Sequence, residues 1–437
     1  MDDTRGLKPY FRRLEDFSTL RWTGRVTKAV GHLVESDGPF CSVGEGCAII
    51  TEDGRAFSGE IVGFRGRSVL SMPLERPSGI RFGDRIVTRG THPSLRVGPH
   101  LLGRVIDGSG KPLDDMPNYR AREYWPLQGD PPLPLERLAI REPLGCGIRA
   151  IDGLLTCGRG QRVGIFGGSG VGKSTLIGMM TRGTSADMTV LALVGERGRE
   201  VREFLEEAIG KESLARSVVV VSTSDQSPLL RIRAALAATS VAEYFSAQGK
   251  HVLLVVDSLT RFAMAQREIG LAAGEPPTAK GYTPSVFTLL ARLIERAGNF
   301  GKGSITAFYT VLMEGDDQQD PLVDAVRALL DGHVMLDRKL NTRGHYPPIA
   351  VLDSLSRLMG AVCSAQHLEK ARRLRELLAA FSASEDLVRI GAYQKGGDAT
   401  LDLALAALPA IQRFLQQTKT ERPSFSETVN ALQALPG

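Results

Sequence analysis

The sequence predicts an α/β protein: a covered parallel sheet carrying a phosphate-binding loop, with a small antiparallel β barrel before it and helices after it. Between about residues 146 and 345 the apolar runs "QRVGIFG", "MTVLALVG", "SVVVVST", "HVLLVVD" and "SITAFYTVL" alternate with helical segments. Continuous apolar strands separated by helices imply a parallel sheet buried on both faces. The first run leads directly into the glycine-rich "GGSGVGKS". From Trp22 to about Gly90, short alternating apolar runs broken by turns such as "TEDGR" and "FRGRS" predict the barrel.

Bulk properties agree with several folded domains. At 437 residues the chain exceeds one ordinary core and predicts two or three domains. With 42% hydrophobic and 24% charged residues, the composition is that of a globular protein rather than a disordered one. A net charge of +5 without a polybasic block demands neither nucleic acid nor a membrane and permits an acidic partner. Cys41, Cys47, Cys146, Cys157 and Cys363 are scattered and include no CxxC pair, which fits a reduced compartment without a cysteine metal site. The opening "MDDTRGLKPYFRRLEDF" lacks an apolar signal core, and no run approaches bilayer-spanning length, so the chain is expected to stay inside the cell.

The elements follow in order. Residues 1 to 20 form an expected arm in which Leu7, Tyr10, Phe11, Leu14 and Phe17 recur at helical spacing beside Lys8, Arg12 and Arg13. It could pack on its own domain or dock on a partner or membrane surface. The barrel domain is placed at 21–92 and the α/β domain at 93–345. Within the latter, the segment from about 108 to 145 carries Pro131, Pro132 and Pro134 and reads as connector. From 346 to 437 a helical domain is expected, since Leu368, Ala371, Leu374, Leu377, Leu378 and Phe381 keep helical period.

The segment Gly167, Gly168, Ser169, Gly170, Val171, Gly172, Lys173, Ser174 satisfies G-x-x-x-x-G-K-[ST], after a strand and ahead of a helix that opens with Thr175. Glycines let backbone amides wrap phosphate oxygens, and the helix N-terminus favours the anion. Lys173 would reach the β and γ phosphates and Ser174 would ligate magnesium. Asp257, ending "HVLLVVD", is the carboxylate such a loop needs to steady the metal, the alternative being a helix cap. In "LALVGERGREV", Glu196 and Arg197 lie just past a strand end, where ligands collect in open α/β sheets. Glu196 could polarise an attacking water and Arg197 could meet the γ phosphate. The alternative is an exposed ion pair with Arg199 or Glu200.

These segments, with "LLGRVIDGSGKPLD", "LLVVDSLTRFAMAQREI", "GEPPTAKGYTPSVF", "GSITAFYTVLMEGDDQQDP" and "LDGHVMLDRKL", resemble the flagellar type III protein export ATPases, relatives of injectisome ATPases and of the catalytic subunits of rotary ATP synthases. The resemblance extends from about residue 20 to the C-terminus. It implies an N-terminal β barrel, a RecA-like P-loop ATPase core and a C-terminal helical domain, assembled as a homohexameric ring with each site between two protomers. By that pattern Lys173, Ser174, Glu196, Arg197 and Asp257 serve one nucleotide, ATP with Mg2+, and Tyr346 stacks on adenine. Arg357, in "LDSLSRLMG", is implied to reach the neighbouring subunit's γ phosphate, the alternative being a surface pair with Asp353.

Further implied are a stator-like regulatory protein met through the N-terminal arm, an export gate, export chaperones, unfolded export substrates, and a peripheral position at the cell membrane. Ala350, where the family usually has an acid, and Thr283, replacing a common proline, depart from the pattern. Rival readings are an injectisome ATPase, a rotary synthase subunit, a non-catalytic ring subunit and a hexameric RNA translocase. Phe57 and Phe64 with Arg65 and Arg67 form no defensible stacking pattern for RNA, and no nucleic-acid partner is expected.

Overall fold

The computed structural model describes residues 22–117, 119, 121, 123–313 and 320–436. The expected arm lies outside the described residues, as do the first four residues of "DDQQDP".

Strands β1 (Thr23–Val30), β2 (Leu33–Asp37), β3 (Gly46–Ile50), β4 (Ala56–Arg65), β5 (Ser68–Pro73) and β6 (Arg85–Thr88) close into a barrel in the order β1-β2-β5-β4-β3-β6. Alternation sends one face of each strand inward. Val26, Val34, Ile49, Ile61 and Ile86 accordingly fill the interior.

The second unit is a nine-stranded sheet. Its strands are β7 (Val105–Asp107), β8 (Arg162–Gly167), β9 (Met188–Glu196), β10 (Ser217–Thr223), β11 (His251–Asp257), β12 (Ser304–Leu312), β13 (Gly332–Met335) and β14 (Leu355–Ser356), with Gly298–Asn299 added beside β12. The order is β14-β13-β8-β12-β11-β9-β10-β7. Pairing is parallel from β13 through β7, while β14 and Gly298–Asn299 run antiparallel to their neighbours. All five apolar runs picked out from sequence are strands here, buried on both faces as their composition requires. The sheet continues through Ser356, beyond residue 345, because His333 and Gly332 pair with Leu355 and Ser356.

Helices α1 (Lys173–Gly183), α2 (Pro228–Ala247) and α3 (Leu259–Ala273) cover the sheet. Helix α2 is apolar nearly all round because most of its residues are buried. Barrel and sheet are joined at α2. Ser227 caps it by accepting from Leu230 N–H and donates its hydroxyl to the Leu74 carbonyl at 2.7 Å. Glu60 on β4 meets Arg233 on α2 at 2.8 Å with both side chains 9% exposed. Helices α4 (Ala365–Arg389), α5 (Ala399–Leu415) and α6 (Phe425–Gln433) form the C-terminal unit. They bury Leu374, Leu377, Ala404, Ile411 and Phe414 in the same core as one face of the sheet.

Candidate active site

Parallel strands deliver their C-terminal ends to one edge of the sheet, and the loops there line a cavity of about 570 Å³. Its walls include Ser169, Gly170, Gly172, Lys173, Ser174 and Thr175 from the glycine loop and α1. Facing them are Glu196, Asp257 and Arg261.

The loop after β8 turns through left-handed backbone at Gly170 (φ 73) and Gly172 (φ 104). A Cβ on Gly172 would also lie 3.2 Å from Tyr346 Cε2, so the aromatic ring packs directly on the loop. Lys173 is buried, with Nζ donating to the carbonyls of Gly167 at 2.8 Å and Gly168 at 2.5 Å. Its ammonium is thus held inside the turn where phosphate oxygens would sit.

Asp257 ends β11 beneath the loop and is buried, its Oδ1 accepting the Thr310 hydroxyl at 2.6 Å. Burial raises its carboxyl pKa above the ordinary value, against the pull of Thr310, Lys173 and Arg261. A carboxylate at this strand end, beside the phosphate loop, is of the kind that could hold a divalent cation. Ser174, exposed at the start of α1 and lining the same cavity, supplies a second oxygen of the right kind.

Glu196 sits on the neighbouring strand. The β9–β10 register shifts between Val194 and Glu196, and Gly195 has φ 69. A Cβ at Gly195 would approach Arg261 Cδ to 3.0 Å, so glycine there satisfies both the turn and the close packing. Burial, reinforced by the Asp257 charge and opposed by Arg261, pushes the Glu196 carboxyl up to about 7.

Arg261 lies within "LLVVDSLTRFAMAQREI", but no motif read from the sequence gives it a role. Ser258 caps α3 by accepting from Arg261 N–H, and this places Arg261 on the first turn facing β9. There Nη1 donates to the Gly195 carbonyl at 2.6 Å and Nε lies 3.3 Å from Glu196 Oε1. The available signal is an arginine four residues past Asp257 across the strand-to-helix turn of "VDSLTR". Thr310 likewise lies in a quoted segment without a role, and only the pairing of β11 with β12 reveals its contact with Asp257.

Two expected residues lie elsewhere. Arg197 does not line the cavity; its side chain is 77% exposed and pairs with Glu200 at 3.3 Å, the surface pair named as the alternative. Arg357 is exposed just past β14 at the sheet edge, with its N–H donating to the Asp331 carbonyl at 3.0 Å. It does not line its own chain's cavity, and among the described residues it forms no ion pair with Asp353, which lies in a turn rather than a helix. Tyr346 is half-buried beside the loop, its hydroxyl 3.5 Å from the Gly172 carbonyl and its own carbonyl accepting Gln417 N–H at 2.8 Å. Of the departures, Thr283 is buried against Ser285 and precedes Pro284 at a helix start, while Ala350 accepts the Ser354 hydroxyl at 2.7 Å.

A barrel, a sheet with a phosphate loop and facing carboxylates, and a helical C-terminal unit define a P-loop ATPase of the ATP synthase type. Residues 26–90 match the β-barrel domain and residues 147–356 the nucleotide-binding domain of the ATP synthase alpha/beta family, and residues 363–434 match the type III secretion EscN ATPase C-terminal domain. The chain belongs to this family. It is 49% identical to a flagellum-specific ATP synthase of Bacillus subtilis, over 95% of each chain. It is 47% identical to a type 3 secretion system ATPase of Sinorhizobium fredii, over 94% of this chain and 92% of the other. A solved structure of the assembled ATPase EscN in complex with its central stalk EscO, from the enteropathogenic E. coli type III secretion system, superposes with a TM-score of 0.87 at 43% identity, covering 94% of this chain and 98% of that one. The protein is an ATP hydrolase of the flagellar and type III secretion export group.

Proposed function

We propose that the chain hydrolyses ATP with Mg2+ at the interfaces of a homohexameric ring and uses the cycle to unfold and deliver substrates for flagellar export. The observation that carries the catalytic reading is the convergence of Lys173, Asp257, Glu196 and Arg261 in one cavity beneath a glycine loop. Ser174 and Asp257 would hold the magnesium, which supplies charge neutralisation on the phosphates. On phosphate binding the Lys173 ammonium exchanges loop carbonyls for β and γ oxygens. Glu196, ionised, accepts a proton from the attacking water, and Arg261 orients that carboxylate. Tyr346, already against the loop, offers its ring to the adenine.

Arg357 is exposed at the sheet edge and outside its own cavity, which supports the reading that it serves a neighbouring subunit. The EscN relative solved in assembled form, with its stalk, supports a ring and a regulatory partner for this chain. Among the described residues no helix is long and apolar enough to cross a membrane, so a position at the export apparatus would be peripheral. A stator-like regulatory protein met through the N-terminal arm, the export gate, export chaperones and unfolded export substrates complete the proposed partners. Lys173→Ala is expected to abolish Mg2+-dependent ATP hydrolysis, and turnover near the parent rate would reject the site.

An injectisome role is the second reading, favoured by the 47%-identical secretion ATPase. Neighbouring genes encoding needle rather than flagellar components would decide for it.

A further inference from the structure

Because Arg357 lies outside its own cavity, its usefulness depends on the short edge segment that carries it. That segment is pinned to β13. Ser354 Oγ accepts from Met335 N–H at 2.9 Å, Arg357 N–H donates to the Asp331 carbonyl at 3.0 Å, and Leu355–Ser356 pair with His333–Gly332. A further contact comes from an imidazole. His333 Nε2 lies 3.0 Å from the Asp353 carbonyl, and since a carbonyl only accepts, the ring nitrogen is the donor.

The same ring stands edge-on to Phe166, with centroids 6.1 Å apart and planes at 88°. Phe166 is the residue before Gly167, so the imidazole bridges the strand that enters the phosphate loop and the turn that presents Arg357. The guanidinium of Arg327 lies over the Phe166 ring at 5.6 Å. Burial, with the charges of Arg327 and Arg357, lowers the His333 pKa against the Asp353 carbonyl and carboxylate. A neutral imidazole with its proton on Nε2 is the form these surroundings favour.

We propose that His333 is a positioning residue for Arg357: by holding the Asp353 carbonyl it fixes the turn that aims the guanidinium at the neighbouring subunit's nucleotide. This rests on the trans-acting role assigned to Arg357. A displacement of about 1 Å in a group stabilising the transition state can cost about 10²-fold in rate.

His333→Phe keeps an aromatic ring against Phe166 and removes the donor, whereas His333→Gln keeps an N–H donor of similar reach. In assembled full-length protein, His333→Phe is expected to lower kcat about 10²-fold while KM for ATP stays within about twofold, since the retained ring keeps its packing on Phe166 ahead of the same chain's phosphate loop. His333→Gln should recover most of the loss. If His333→Phe does not assemble, His333→Asn, with a shorter donor, takes its place with the same expectations. The decisive arm mixes the His333→Phe and Lys173→Ala proteins. Interfaces pairing the intact loop of the first with the intact His333 and Arg357 of the second should regain hydrolysis.

A raised KM, failure of His333→Gln to recover activity, or verified mixed rings without recovery while an Arg357→Ala and Lys173→Ala mixture does recover would overturn the inference. Full activity of Arg357→Ala alone would instead remove the reading on which it rests.

Discussion

Glu196 and Asp257 close two adjacent parallel strands, β9 and β11, whose register sets Leu193 beside Asp257, and the charge of Asp257 raises the proton affinity of Glu196. Under the proposed function two carboxylates at neighbouring strand ends would take different work: the more buried one would hold the cation, and the other, tuned toward neutrality, would serve as the base.

The activity should follow that tuning. Glu196 accepts a proton only when ionised, and its carboxyl is pushed up to about 7. The kcat/KM profile is expected to fall as pH drops through about 7. Stability runs the opposite way. The folded state holds this proton more tightly than the unfolded chain, so the group's contribution is full below the unfolded value and is lost as pH rises through the folded one. Glu196→Gln should therefore melt higher than the parent near about pH 8 and lose that advantage toward about pH 5. Equal melting differences at both pH values would show that Glu196 is not so perturbed.

Arg261 opposes the upward shift of Glu196 from 3.3 Å away. Removing it in Arg261→Ala should move the acidic limb of the rate profile to higher pH and lower the plateau, with Arg261→Lys intermediate because one ammonium lacks the planar fork. An unmoved limb would assign the orientation of Glu196 to another group.

Gly172→Ala places a side chain at φ 104 and 3.2 Å from Tyr346. Nucleotide binding should weaken at least tenfold, roughly the cost of 1–3 kcal/mol of backbone strain at a functional turn. Tyr346→Phe should retain affinity and Tyr346→Ala should lose it if the ring stacks on the base. Fluorescent-nucleotide titration distinguishes these outcomes.

Arg233→Met tests the barrel–sheet junction. Its guanidinium is buried against Glu60, which also accepts from Gln128 at 2.8 Å. Breaking one partner of a buried pair costs about 3–5 kcal/mol. A lowered melting temperature is expected, whereas replacing both partners by apolar residues should recover much of it.

Much of this arrangement is legible in the sequence. The five strands announce themselves because parallel strands buried on both faces must be continuously apolar, and the glycine loop, Lys173, Glu196 and Asp257 follow from their places at strand ends. Arg261 escapes because its role depends on the first turn of α3 folding back over β9, a tertiary relation that spacing alone does not reveal. Thr310 escapes because strand order is not written in any local pattern. Arg197 shows the reverse: adjacency to Glu196 in sequence does not bring it into the cavity, since Arg197 is the extended residue at the N-cap of the next helix, and consecutive extended residues send their side chains to opposite sides. That the sheet runs past residue 345, where helices are expected to take over, is not legible because the two-residue β14 is too short to carry a period.

The central claim is that each nucleotide is served by two chains, and mixing two inactive proteins tests it most directly. Arg357→Ala alone should lose about 10³-fold or more in turnover, as trans-acting arginines do. Lys173→Ala alone should be inactive. In verified mixed rings, the intact loop of an Arg357→Ala subunit faces the intact Arg357 of a Lys173→Ala neighbour at some interfaces, and ATP hydrolysis should reappear there. Mixed rings that remain inactive, or an Arg357→Ala protein that is fully active by itself, would contradict the account.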